Sequence, residues 1–180
     1  MYTFQYQLTE DDHFGYRLCH NYTTPAFRKK IILHKYLYPV LLVAWVIFLG
    51  FVFSHFHIVY AICGAYSIWR IVSFRKRVER NIRKSLKLES ESGKSPFTAQ
   101  MKMAFGEEKM EITSEVAESL AHYSAIERIV TGPNALYLYT SASTAFILPY
   151  RIFASEEEKE SFLQFIQQKT NAALIAGKTK

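Results

Sequence analysis

The sequence predicts an α+β membrane protein: a two-helix transmembrane hairpin carrying a small cytoplasmic β domain capped by a C-terminal helix. Three observations predict it. No Asp, Glu, Lys or Arg occurs from Tyr36 to Trp69. One spanning helix needs about 20 apolar residues, so this run is too long for one pass and suits two short ones. Lys and Arg crowd both flanks of the run, and acids outnumber bases beyond Pro96. That is the distribution expected when both flanks stay in the cytoplasm. From Phe97 onward, short alternating segments separated by turn residues replace helical spacing, and one amphipathic helix closes the chain.

A net charge of +6 over 180 residues raises the question of nucleic-acid binding. The positive-inside rule explains the charge more simply, because the excess sits beside the apolar run, so no nucleic-acid partner is expected. The two cysteines, Cys19 and Cys63, form no CxxC pair, which fits a reducing compartment for the polar parts. The opening residues MYTFQYQLTEDD lack the basic start of a signal peptide, and none is expected.

Taken in order, Tyr2, Phe4, Tyr6 and Leu8 alternate with Thr3, Gln5 and Gln7, which predicts a strand over Tyr2–Thr9 with one buried face. Thr9 is a good N-cap, and Asp11 and Asp12 suit the first turn of a helix reaching about Tyr22. Pro25 is expected to end it. Arg28, Lys29, Lys30 and Lys35 precede the first span; Arg70 and the run from Arg75 to Lys87 follow the second. The break between spans falls at Ser54-His55-Phe56-His57, facing outward. Tyr36, Tyr38 and Trp69 take interfacial positions, and Pro39 lies in the first turn of its helix, where a missing N–H is harmless. Ala61, Gly64, Ala65 and Ile68 follow helical spacing, with Gly50 and Ser67 nearby. They offer a small-residue face for contact between spans or protomers.

The second span is expected to continue as a helix to Leu88, with Phe74, Val78, Ile82 and Leu86 along one stripe. This stripe lies on the membrane surface or packs on protein. In the first case Arg75, Lys76, Arg77, Arg80, Arg83, Lys84 and Lys87 are candidate contacts to anionic lipid. Residues 89–96, ESESGKSP, read as a linker. Strands are then predicted over Phe97–Phe105, Lys109–Thr113, Glu118–Tyr123, Ile126–Thr131, Ala135–Thr140 and Thr144–Tyr150. Glu127 and Arg128 are expected on a solvent face. Ser155 and Glu158 form a capping box opening a helix whose apolar face is Phe162, Leu163, Phe165 and Ile166. Beyond Thr170 a frayed tail is expected.

These readings divide the chain into an N-terminal strand and amphipathic helix (1–30), transmembrane helix 1 (36–53), transmembrane helix 2 (57–71), a basic extension and linker (72–96), a β domain (97–170) and a tail (171–180). Six strands and a closing helix suggest a small sheet or barrel. Counting Tyr2–Thr9 as a seventh strand completes a pleckstrin-homology (PH) pattern.

Three stretches resemble the YcxB-like family of bacterial membrane proteins. They are FQYQLTEDDHFGY from Phe4 to Tyr16, the paired apolar segments, and the stretch from His122 to Ile166 with its LYLY strand, its Ile-x-Pro and its acidic helix start. Tyr150 departs from the basic residue expected after Pro149; Arg151 stands next to it. The resemblance implies a PH-like domain on a two-helix anchor in the bacterial inner membrane. It brings no catalytic residues.

Other constellations carry less. Gly93-Lys94-Ser95 ends like a phosphate-binding loop, but Leu88 stands where its first Gly belongs and Pro96 blocks the following helix. His55 and His57 lack further ligands for a metal. No nucleophile elbow, zinc-protease motif or redox pair occurs, so no catalytic residue, cofactor or metal is expected. The leading functional expectation is a non-enzymatic, membrane-anchored interaction module for an unknown protein partner, homo-oligomerisation remaining open. The alternatives are anionic-lipid sensing through the basic helix and an oligomeric transporter or pore subunit. The last has no charged residue within the spans to carry an ion.

Overall fold

The computed structural model describes residues 1–52, 57–92, 100–114 and 118–177. Two compact units emerge, one of residues 1–23 with 84–180 and one of residues 24–83.

The first unit is built on strand pairing across a long gap in sequence. Strand β1 (Tyr2–Gln7) lies antiparallel to β2 (Gln100–Phe105), with Tyr2 opposite Phe105 and Gln7 opposite Gln100. Strands β3 (Lys109–Ser114) and β4 (Glu118–His122) complete a four-stranded meander. A second sheet has the order β7-β6-β5-β8, from β5 (Arg128–Thr131), β6 (Ala135–Tyr139), β7 (Ala145–Pro149) and β8 (Ala173–Ala176). The alternation read from the sequence is the reason for the shared core. Phe4, Tyr6, Met103, Phe105, Met110 and Ile112 from the first sheet join Ile129, Leu136, Leu138 and Leu148 from the second in one buried cluster.

Helix α1 (Glu10–Thr23) opens with a reciprocal cap. The Asp12 amide donates to Thr9 Oγ1 (3.3 Å), while the Thr9 amide and hydroxyl donate to Asp12 Oδ2 (2.7 and 2.8 Å). The far helix, α6 (Glu156–Lys169), is capped as predicted: the Glu158 amide donates to Ser155 Oγ (3.2 Å). The Glu158 carboxylate reaches one residue further back than a standard box and accepts from the Ala154 amide (2.6 Å). Phe162 of α6 is fully buried and meets Tyr2, Phe4 and Phe105 edge-on at 4.8–5.3 Å between ring centres. All five residues of β6 are buried. Leu136 and Leu138 alternate with Tyr137 and Tyr139, whose rings meet Tyr16 of α1 at a tilt, 5.7 and 6.0 Å between ring centres. A run without polar alternation is what a strand covered on both faces needs.

The second unit is helical: α2 (Pro25–Ile32), a π-helical turn (Leu33–Leu37), α3 (Tyr38–Val52) and α4 (His57–Val72). Among the described residues, Leu33–Gly50 is the one segment long and apolar enough to cross a membrane; its mean hydropathy is 1.6 and 6 % of it is buried. Ala61–Val72 is a shorter apolar helix. Helix α5 (Phe74–Glu91) follows α4 after the single turn residue Ser73, whose amide still donates to the Trp69 carbonyl (2.9 Å).

Several expectations need correction. Helix α1 ends at Thr23, before Pro25 as expected, but Pro25 also opens α2 at its first position, a site that needs no N–H. Pro39 lies inside continuous helix, because Ile32 and Tyr38, at either end of the π turn, are both right-handed helical. A proline there lacks its amide and crowds the carbonyl of Lys35, and the wider π turn immediately before it opens that space. Part of the expected linker is helix, since α5 runs to Glu91. The expected frayed tail contains β8, which pairs in parallel with β5, Arg128 opposite Ala173 and Thr131 opposite Ala176. The small-residue face is not where α3 and α4 meet closely. Ala61, Ala65 and Ile68 are exposed, and a Cβ on Gly64 would touch nothing within 4 Å, while Ser67 is buried.

Candidate functional site

The polar chemistry of the first unit gathers where the N-terminal segment meets the end of β7 and the basic helix. Arg151, just past β7 in a short 3-10 turn, points both guanidinium nitrogens at Asp12: Nη1 to Oδ1 and Nη2 to Oδ2, each 2.6 Å. Nη2 also donates to the Gln7 carbonyl (2.8 Å). The Asp12 side chain is 6 % exposed and that of Arg151 48 %. Burial alone would raise the Asp12 pKa, but the bonds from Arg151 and Thr9 outweigh it, so the carboxyl titrates below its ordinary value. The residue beside the departure at Tyr150 thus clamps the capping box of α1 to the end of β7. Tyr150 itself donates to the Gly132 carbonyl (2.9 Å). The spacing of Asp12 and Arg151 in sequence carried no signal of this pair.

A second link joins α1 to α5. Arg17 donates to Ser85 Oγ (2.5 Å) and Glu89 Oε2 (2.6 Å). Leu18 and Leu86 are both buried. On the stripe expected along α5, Ile82 and Leu86 are buried and Phe74 and Val78 partly so. Lys76, Arg80, Arg83, Lys84 and Lys87 lie exposed, centred roughly 180° from that stripe at about 100° per residue. Arg75 also points to solvent but pairs with Glu79 (2.9 Å), and Lys87 stands 3.8 Å from Glu91. Arg77 is used within the helix: it donates to the Arg70 carbonyl and lies over the Trp69 ring (5.4 Å). Of the seven candidate lipid contacts, the fold therefore groups five on one solvent face and engages Arg77 elsewhere.

The groups around α1 and β6 are chemically quiet. Burial pushes the Cys19 thiol up to about 11 and raises the Tyr137 and Tyr139 hydroxyls, while His20 is lowered by burial and by Arg128. Such a thiol is a poor nucleophile at neutral pH. Arg128, expected on a solvent face, instead lies 4.0 Å over the Tyr139 ring and donates to the Ala142 carbonyl (3.1 Å). Both cysteines are free. No group of three or more His, Cys, Asp or Glu able to hold a metal occurs among the described residues. Gly93-Lys94-Ser95, His55 and the His57 side chain lie outside the described residues.

The sheet edges differ. Along β5 the edge is taken by β8. Strand β4 closes the first sheet with Glu118, Ser119, Leu120 and His122 exposed, Leu120 at 67 %. An outer strand leaves alternate backbone amides and carbonyls unpaired toward solvent.

No curated protein and no solved structure matches this chain. The family model described as YcxB-like protein matches residues 105–166, from the last residue of β2 through β3–β7 into α6. Over the β domain that holds Arg151 and the LYLY strand, the chain is similar to the YcxB-like family.

Proposed function

We propose that the protein is a non-enzymatic interaction module, anchored in the bacterial inner membrane by a two-pass hairpin and presenting a PH-like domain to the cytoplasm. The observation that carries this reading is the β1–β2 register. β1 precedes the apolar segments and β2 follows them, so a single crossing would leave the two strands on opposite faces of the bilayer. Two crossings leave them together, and the basic flanks assign that side to the cytoplasm. Helix α4 is short for a hydrocarbon core of about 30 Å, a mismatch that tilt or local thinning accommodates. Two meander sheets of β1–β4 and β5–β7 followed by α6 support the PH-like reading. The exposed β4 edge is the place for a partner's extended segment, which would gain main-chain bonds there.

Two experiments test this. Single cysteines at Gln5 and Lys102, in a background lacking Cys19 and Cys63, should both react with an impermeant thiol reagent only from the cytoplasmic side. Labelling of the two from opposite sides would end the two-pass reading. For the partner, intact protein and its Leu120→Pro variant are compared in affinity purification from mild-detergent extracts. A partner lost with the proline, but kept with Glu111→Gln on β3, supports edge docking; an unchanged partner set refutes it.

A second reading has its own observation. The exposed face formed by Lys76, Arg80, Arg83, Lys84 and Lys87 suits electrostatic contact with anionic headgroups at about 1 kcal/mol per charge. Because Ile82 and Leu86 of the opposite stripe are already buried and Phe74 and Val78 partly so, the face would act chiefly through its charges. A peptide covering 70–88 that bound neutral and anionic vesicles equally would remove this reading.

A further inference from the structure

The two helices α3 and α4 leave a groove on each side, and the grooves are chemically unlike. One, of about 520 Å³, is lined by Pro39, Val43, Ile47, Gly64, Ser67 and Ile68, without a charge. The other, of about 540 Å³, runs between Tyr38, Leu41, Leu42 and Trp45 of α3 and Tyr66, Ser67 and Arg70 of α4. Arg70 sits at one end of it, held by a bond from Nη1 to the Tyr66 hydroxyl (3.3 Å). Its guanidinium keeps donors to spare, since five N–H groups are available. Ser67 lies between the two grooves and lines both, is 5 % exposed, and its hydroxyl finds no hydrogen-bond partner. A helical serine ordinarily returns its hydroxyl to the carbonyl four residues back; this one does not.

A cation at the mouth, an unspent hydroxyl beside it and an apolar trough beyond call for an amphiphile with a negative head. From Tyr38 to Trp45 the trough extends about 10 Å along the helix axis, enough for the upper part of an acyl chain. We propose that this groove binds one anionic glycerophospholipid, its phosphate on Arg70, an ester carbonyl accepting from Ser67, and one acyl chain along Leu41, Leu42 and Trp45. The groove on the other side shares Ser67 but has no cation, so it lacks the preference for a negative head. This site is separate from the basic face of α5, and it rests on the reading that the hairpin lies in the membrane.

The test is native mass spectrometry of the full chain, delipidated in mild detergent and supplied with phosphatidylglycerol. The wild type is expected to retain one lipid. Arg70→Gln, Ser67→Ala and the groove-filling Leu42→Trp should each reduce retention at least fivefold. Arg80→Gln and Val43→Trp, on the α5 face and in the other groove, should leave it unchanged. Diacylglycerol, which keeps the ester but lacks the phosphate, should be retained several-fold less, and soluble glycerol phosphate not at all. Equal losses with Arg80→Gln, or full retention by Arg70→Gln together with Leu42→Trp, would overturn the site. So would a dimer that forms without lipid and is lost in the Arg70 and Leu42 variants, since a second copy would then fill the groove. Carbonate extraction of the same membranes separates the premises: protein that stays with the bilayer but retains no lipid removes only this site, and protein released by carbonate removes the hairpin reading as well.

Discussion

Phe162 and Trp45 are both large aromatics on helices, and they meet opposite surroundings. Phe162 is fully buried among Tyr2, Phe4, Phe105 and Phe153, whereas Trp45 is 62 % exposed beside Ile47 and Phe48, which are exposed too. In the β domain apolar side chains turn inward; in the hairpin they turn outward. A soluble fold cannot leave so continuous an apolar surface in water, and lipid removes the reason to bury it. The β domain depends on side-chain fit, and under the proposed function the hairpin depends on the bilayer.

The largest expected effect tests that contrast directly. Phe162→Ala should lower the unfolding free energy of the protein in mild detergent by about 3–5 kcal/mol. Trp45→Ala should change it by about 0.5 kcal/mol or less. Comparable losses in denaturant titrations of the two variants would erase the distinction.

Next comes the clamp between the N-terminal segment and the end of β7. Asp12→Asn should cost about 1–3 kcal/mol, less than the loss of a fully buried partner, because half-exposed Arg151 can be hydrated when left alone. The pH dependence carries a sign. The Asp12 pKa is depressed in the fold, so its contribution is present above the unfolded value of about 3.9 and is lost as pH falls through the lower folded value. Wild type should weaken along that acid limb, and the Asn variant should be flatter there. Parallel acid curves for the two proteins would count against the pair.

A smaller, local effect is expected at the edge of the second sheet. A Cβ on Gly177 would lie 2.7 Å from the Thr131 carbonyl oxygen and 2.8 Å from Cys19 Sγ, in the place where the Gly177 amide donates to Thr131. Gly177→Ala should cost about 1 kcal/mol and expose the amides of Ala173–Ala176 to hydrogen exchange while the β6 amides stay protected. Loss of protection in both strands would show that β8 supports the whole sheet.

The smallest effect belongs to the link between α1 and α5. Arg17 and Glu89 are both partly exposed, so Glu89→Gln should cost less than about 1 kcal/mol and the difference should shrink further in high salt. A larger, salt-independent loss would mean that this contact belongs with the core rather than the surface.

Local patterns carried most of the fold. Period-two alternation placed β1, β2 and β3, apolar runs between turn residues placed β4–β7, the Ser155–Glu158 cap placed α6, and the four-residue stripe from Phe74 to Leu86 placed the buried side of α5, because each depends on neighbours in sequence. What escaped the sequence reading depends on distant partners. Asp12 looked like a dipole residue until Arg151 arrived beside it; Arg128 looked solvent-facing until the ring of Tyr139 lay beneath it. The Ala-Leu-Ile-Ala segment of β8 has no alternation to announce a strand and becomes one because β5 offers an unpaired edge. Ser67 drew attention only as a small residue, and nothing local revealed that its hydroxyl would be buried without a partner.

By itself, the sequence determined that an uncharged block divides the chain, that basic residues flank it, and that short strands and a capped helix follow. These are properties of composition and period, which neighbouring residues settle among themselves. Only the tertiary structure decided that the first strand joins sheets built a hundred residues later, that a guanidinium locks its helix to them, and that one side of the hairpin holds a cation above an apolar trough. Those facts arise from residues far apart in the chain meeting in space, and a pattern of neighbours holds no record of such meetings.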